Sequence, residues 1–203
     1  MGSKTYFPQE EYERRWEAVY AAMKEKGYET AVIWGKSAGN YERHGDMLYL
    51  TNYYSTLSGH SLDVDEHQQA RSYGAVILHQ GREPELIMDM PSYEMDQLAV
   101  ENVEGHKDPI QGVTKALKRL GVEGKAALIG TDFLPMKYAK QMEEQTPAIE
   151  WMPEDELVRE VRQIKSPFEI DLYRRAGETM TNAITRLMEG LIQGKTEAEA
   201  AAD

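Results

Sequence analysis

The densest group of side chains able to bind a metal or move protons lies between His60 and His67. There the sequence HSLDVDEH brings His60, Asp63, Asp65, Glu66 and His67 into one short stretch. Oxygen and imidazole donors of this kind suit zinc, manganese or nickel. Their spacing does not follow the three- or four-residue step that puts ligands on one helix face, so a solvated loop is expected and no metal ligand is assigned. Gly35-Lys36-Ser37 has the ending of a phosphate-binding loop, but that motif needs a glycine five positions before Gly35, where Thr30 stands. A turn is expected there instead. Tyr53 and Tyr54 read as core or rim aromatics, and His44, His79 and His106 have no partner pattern and read as structural. The chain contains no cysteine, which removes disulfide frameworks, thiol nucleophiles and thiolate zinc sites together.

These residues must be held by a scaffold, and the apolar periodicity outlines one. Pro8 opens a helix in which Tyr12, Trp16, Val19 and Met23 keep helical spacing, with Gly27 as its stop. Thr30 to Trp34 is a short β-branched, apolar run and reads as a buried strand. Asp46 to Tyr54 joins a loop to the core, and 55–72 is long and polar, of the kind that is functional or mobile inside compact domains. Tyr73 to His79 and Glu85 to Met90 flank the turn Gln80-Gly81-Arg82 and read as an antiparallel hairpin. Pro91 is expected to start a helix through about Val100. Further helices are expected over Asp108 to Leu120, Pro135 to Gln145 and Glu154 to Ile164, and strands over Lys125 to Gly130 and Ala148 to Met152. Strands alternating with helices beside a hairpin predict a mixed α/β sheet with helices on its faces.

The last forty or so residues have a different character. Ser166-Pro167-Phe168-Glu169 is a capping box with proline at the first helical position, where its missing N–H costs nothing. Phe168, Leu172, Ala176, Met180, Ala183, Leu187 and Leu191 then draw one apolar stripe along a long helix, with Met180 and Met188 expected to fill packing gaps. Gly194 ends that helix, and Thr196 with Glu199 forms a second capping box. A helix begun there has few residues left before Asp203, and short isolated helices are unstable. The expectation is a chain cut soon after a second domain begins, with domains at 1–160 and 161–203.

Composition narrows the function classes. At 203 residues with 41% hydrophobic content, the chain can hold one good core and the start of another. A net charge of −12 argues against a nucleic-acid footprint, which needs a clustered positive surface. No apolar run approaches the ~20 residues that span a bilayer, and the N-terminus lacks a signal-peptide pattern. A cytoplasmic protein with no membrane partner is expected.

Several motifs, taken together, resemble one family. The helix into a buried strand, Tyr49-Leu50-Thr51, the hairpin, Ile129-Gly130 and above all Arg162-Gln163-Ile164-Lys165-Ser166-Pro167-Phe168-Glu169-Ile170 are similar to the creatinase/prolidase group, peptidase family M24. The resemblance implies a creatinase/prolidase N-terminal α/β domain, a ribonuclease H-like mixed sheet flanked by helices, followed by the truncated start of a pita-bread α+β catalytic domain. Asn52-Tyr53-Tyr54-Ser55 and Arg71-Ser72-Tyr73-Gly74 look closest to creatinase, where similar segments border the substrate. That match implies substrate-binding roles for Arg71, His60 and Tyr54, with Arg71 reaching a carboxylate in the neighbouring subunit's site, a task suited to its bidentate, always-charged fork. Gln69 stands where creatinase has an aromatic two positions before that arginine, which puts creatine itself in question. The resemblance further implies a homodimer and a small-molecule or Xaa-Pro peptide substrate. Two divalent metals (Mn, Co or Zn) are implied in the full-length protein, held by residues that follow Asp203 in the family's order, so the fragment is expected to be inactive. The rival reading is a non-catalytic M24-like binding module whose acidic surface meets a basic partner.

Overall fold

Runs such as Ala31-Val32-Ile33-Trp34 form strands buried on both faces, which is why they read as continuous apolar stretches with no polar alternation. Ala31 and Ile33 face one helical layer, and Val32 and Trp34 face the other. The computed structural model describes residues 5–36, 43–54, 73–89, 95–190 and 194–202. The chain divides into two units, Met1–Gln163 and Ile164–Asp203.

In the first unit α1 (Gln9–Glu25) leads into β1 (Thr30–Lys36) and α2 (Gly45–Thr51). The strands β2 (Tyr73–His79) and β3 (Glu85–Met88) form the expected hairpin, followed by a 3-10 turn (Met95–Gln97) and β4 (Asn102–Gly105). Then come α3 (Pro109–Leu120), β5 (Gly124–Ile129), α4 (Met136–Gln145), β6 (Ile149–Pro153) and α5 (Glu156–Gln163). The sheet order is β4-β3-β2-β1-β5-β6, and β2 is antiparallel to both of its neighbours while the other pairs are parallel. This is the mixed α/β sheet that the sequence predicts. On one face Val19 and Met23 of α1, Met47 and Leu50 of α2 and Leu157 and Val158 of α5 cover Ile33, Val76 and Leu86. On the other, Ile110, Val113 and Leu117 of α3 and Met142 of α4 cover Val32, Trp34, Ile77 and Ile87.

Three local readings change. Gly35-Lys36 continues β1 and is not a turn, and its glycine answers a packing need: a Cβ at Gly35 would lie 2.6 Å from Met47 Cε. Gly74, directly opposite in the register, faces Met47 Sδ at 3.1 Å from its own absent Cβ, so the two glycines form a groove that receives α2. The helix expected from Pro91 to Val100 is, among its described residues, only the 3-10 turn. Leu98, Ala99 and Val100 are all buried, and the Ala99 N–H donates to Thr51 O at 2.9 Å rather than into a helix. The edge strand β4, which the sequence reading missed, pairs among the described residues only with β3.

In the second unit α6 (Pro167–Gly190) and α7 (Glu197–Ala202) each begin on the capping box read from the sequence. Ser166 N–H donates to Glu169 Oε2 at 2.9 Å, and Glu169 N–H donates to Ser166 Oγ at 3.2 Å. Thr196 and Glu199 repeat the exchange at 2.8 and 3.3 Å. Met180 and Met188 do not fill gaps: they are 60% and 64% exposed, because within this unit only the short α7 neighbours α6 among the described elements.

Candidate functional site

The strand directions single out one edge of the sheet. Because β2 alone runs against the others, the carboxyl ends of β1, β3, β4, β5 and β6 and the first residue of β2 all reach the same side. In open α/β sheets this is the side on which ligands sit. Lys36, Tyr54, Tyr73 and Asp89 are the last described residues before or after 37–42, 55–72 and 90–94. Two of the three expected substrate residues, His60 and Arg71, lie outside the described residues, as does the His60 to His67 cluster. Tyr54 is described, half-buried, with its ring centroid 5.5 Å from that of His44.

The chain is set up to hold Tyr53 and Tyr54 firmly. Asn52 caps α2 in the left-handed region, with φ of 59°, a conformation asparagine tolerates better than most residues. Its side chain is fixed from both sides, accepting from Tyr12 Oη at 2.9 Å and donating through Nδ2 to Gln97 O at 2.7 Å. Burial pushes the Tyr12 hydroxyl up to about 12, against the opposing pull of Arg15, so it remains a donor at any working pH. Arg15 is itself buried. Its Nε donates to Glu11 Oε1 at 2.9 Å, its Nη1 donates to Tyr49 O at 2.8 Å, and its guanidinium lies 4.2 Å from the Tyr49 ring centroid. Tyr53, fully buried, donates its hydroxyl to Asp89 Oδ1 at 3.3 Å and packs edge-on to His44 at 6.3 Å. His44, which the sequence left as structural, is thus the ring against which both tyrosines lie; a spacing of nine and ten residues gives no periodic signal for it.

On the other flank Tyr73 starts β2 with its hydroxyl donating to Phe133 O at 3.3 Å, its ring edge-on to Tyr138 at 5.8 Å, and Lys36 Nζ 5.1 Å from its centroid. Burial raises this hydroxyl as well, to about 12. Next to it a cleft of about 490 Å³ opens between the ends of β5 and β6, lined by Arg43, Asp46, Asp132, Phe133, Asp155 and Arg159 among others. Arg43 pairs with Asp132 at 2.9 Å, and Arg159 with Glu156 at 2.9 Å. Arg162 holds Asp46 across the first turn of α2, where a Cβ on Gly45 would come within 2.9 Å of the guanidinium. The cleft's charges are therefore largely engaged with one another. Among the described residues no three His, Asp or Glu side chains converge as a metal would require, so no metal-assisted step can be derived from them. Among the same residues, no helix is long and apolar enough to cross a membrane. Among the described residues this edge offers aromatic side chains, Tyr53 and Tyr54 against His44 and Tyr73 against Tyr138.

The strand order, the helical cover on both faces and the aromatic groups at one edge define a mixed α/β domain. The sequence model of the creatinase/prolidase N-terminal domain matches residues 15–164, and the chain belongs to that family. Among solved structures it is similar to an Xaa-Pro dipeptidase from Bacillus anthracis, with 21% identity, a TM-score of 0.66, and coverage of 94% of this chain and 47% of that one. It is similar to the prolidase from Pyrococcus horikoshii at 20% identity and a TM-score of 0.64, covering 93% of this chain and 46% of that one. The N-terminal domain of the cytoplasmic peptidase PepQ from Mycobacterium tuberculosis matches at 12% identity and a TM-score of 0.54, covering 73% of this chain and 98% of that domain. At these identities the likeness is one of fold, and the chain spans just under half the length of the first two. No curated protein matches the sequence.

Proposed function

We propose that this chain is the N-terminal portion of an M24-type hydrolase that cleaves an Xaa-Pro peptide or another small C–N bond, with the domain serving dimer assembly and capping of the substrate site. The observation that carries the reading is one of extent. The family model covers residues 15–164, while the fold likeness to the Bacillus anthracis dipeptidase runs over 94% of this chain and stops at 47% of that one. The Arg162 to Ile170 junction spans the division between the two units, where an accessory domain would hand over to a catalytic one. In this reading Arg71, His60 and Tyr54 approach the substrate of a partner subunit, with Arg71 taking its carboxylate. Two divalent metals (Mn, Co or Zn) would be held in the half of such a hydrolase that this chain does not match, and the 203-residue piece alone would turn over nothing.

The test is hydrolysis of Xaa-Pro dipeptides and of creatine by the full-length gene product, supplied with Mn or Co, alongside the 203-residue chain. Turnover is expected from the former only. Arg71→Ala should raise KM about tenfold or more at unchanged kcat, the effect of losing a charge-assisted bond made equally in ground and transition states. Turnover by the 203-residue chain would place the chemistry inside it, and unchanged kcat/KM would remove Arg71 from the site. A full-length protein without hydrolase activity that binds basic proteins would favour the non-catalytic module. A strictly monomeric, fully active enzyme would exclude the cross-subunit role.

A further inference from the structure

The turn that leaves β5 is built as an oxyanion receptor. Gly130 has φ of +98°, and a Cβ there would lie 2.7 Å from Phe133 Cζ and 3.0 Å from Trp34 Cβ, so the position accepts only glycine. With this backbone the N–H groups of Gly130 and Thr131 converge, and the Thr131 hydroxyl adds a third donor from the same side. Successive backbone N–H groups pointing into one concavity are a general device for binding anions. Here the anion is part of the chain. Asp155 Oδ1 accepts from Gly130 N–H at 2.6 Å and from Thr131 N–H at 2.9 Å, while Oδ2 accepts from the Thr131 hydroxyl.

Asp155 immediately precedes α5, the position from which an aspartate ordinarily caps its own helix. It spends its carboxylate on a turn 25 residues away instead. The receptor also opens on the 490 Å³ cleft, where Arg43 and Arg159 are paired with Asp132 and Glu156. With the Asp155 side chain removed, a small carboxylate arriving from solvent would find room and three donors.

We infer that the Gly130–Thr131 turn is a carboxylate-binding site whose resident ligand is Asp155, and that removing this side chain frees it for small carboxylates such as formate or acetate. The consequence is that at the end of β5, on the side where α/β sheets commonly take their ligands, the turn's donors are already occupied by the chain's own carboxylate. The inference stands whether or not the hydrolase reading does.

Thermal unfolding of the full 203-residue chain and of Asp155→Gly, each in sodium formate and in sodium chloride of equal ionic strength, tests it. Losing charge-assisted bonds should lower the Asp155→Gly melting temperature by roughly 5–10 °C. Formate at ten times its Kd should then restore about 3–5 °C, saturably, with chloride inactive and the parent chain unresponsive. Amide resonances of Gly130 and Thr131 should shift with formate in the variant alone. Equal response of variant and parent, or formate shifts elsewhere but not at these two amides, would overturn the assignment. Should Asp155→Gly fail to fold even in formate, hydrogen exchange in the parent decides: protected Gly130 and Thr131 amides uphold an internal carboxylate ligand, and exchange at unstructured rates refutes it.

Discussion

The helices of the first unit and α6 carry the same kind of sequence pattern and live in opposite environments. In α3, Ile110, Val113 and Leu117 recur at helical spacing and are buried against the sheet, and the helix is closed at its start by Asp108, which accepts from Ile110 N–H at 3.0 Å. In α6, Phe168, Met180 and Leu187 recur just as regularly and are 44%, 60% and 43% exposed. What α6 has is local: a reciprocal capping box and an Arg175–Asp171 pair at 3.0 Å one turn apart. Amphipathic periodicity therefore states that a face is to be covered, without saying by what. Tertiary burial holds the first unit, whereas α6 rests on terms that are each worth about 1 kcal/mol or less.

Large-to-small substitutions break this comparison most sharply. Trp34 is fully buried between α3, α4 and the strands, and Trp34→Ala should cost the first unit about 3–5 kcal/mol through lost transfer energy and a residual cavity. Met180→Ala removes an exposed side chain and should change stability by no more than about 0.5 kcal/mol. Urea unfolding of both variants measures the contrast. A Met180→Ala loss approaching that of Trp34→Ala would mean that the α6 stripe is covered in solution.

Glycines sharpen the same contrast with opposite signs. At Gly35 an added methyl meets Met47 Cε at 2.6 Å, so Gly35→Ala must displace α2 or its methionine and should cost about 1–3 kcal/mol. At Gly177, within α6, nothing lies within 4 Å of the added Cβ. Gly177→Ala should therefore stabilise α6 by about 0.5–1 kcal/mol from backbone entropy alone, visible as increased helicity by circular dichroism. A loss of helicity in Gly177→Ala would show that the face carrying that glycine is packed.

How much of this was legible follows from what each segment's partners are. The β2–β3 hairpin, β5, α3 and both capping boxes could be read because the signals that make them lie within a few residues of one another. The helix α2 could not, since its seven residues complete fewer than two turns and Met47, Tyr49 and Leu50 look the same in a strand. The edge strand β4, NVEG, is too short and polar to announce itself and exists through its pairing with β3. Leu98, Ala99 and Val100 follow a proline helix-start signal, yet they are anchored from Thr51 and from Gln9, whose side chain donates to Ala99 O at 3.0 Å. At the candidate site the tyrosine pair was visible as residue types. The His44 ring beside it and the Asp155 carboxylate under the β5 turn were not, because each depends on a contact between segments that only the folded sheet brings together.

The smallest effect separates the units by pH. Glu154 accepts from Tyr28 Oη at 2.8 Å and from Lys26 Nζ at 3.1 Å, joining the end of α1 to the approach of α5. The Tyr28 hydrogen bond, followed by Lys26, holds the Glu154 carboxyl below its ordinary 4.5 despite opposing desolvation. A carboxyl depressed in the folded state adds stability above its unfolded value and loses it as pH falls through the folded one. Lys26 is shifted the other way, raised above its ordinary 10.5 chiefly by the Glu154 hydrogen bond, so its share is present below that value and lost as pH rises through the folded one. Because the Lys26 and Glu154 side chains are 34% and 24% exposed, solvent screening holds the pair to less than about 1 kcal/mol. Glu154→Gln should therefore flatten both the acid limb below about 4.5 and the alkaline limb above about 10.5 of first-unit melting, read from Trp34 fluorescence in a Trp16→Phe, Trp151→Phe background. It should leave α6 helicity unchanged at every pH. If the helicity of α6 followed the Glu154 titration instead, the two units would share one cooperative transition, and the division between buried and locally capped helices would fail.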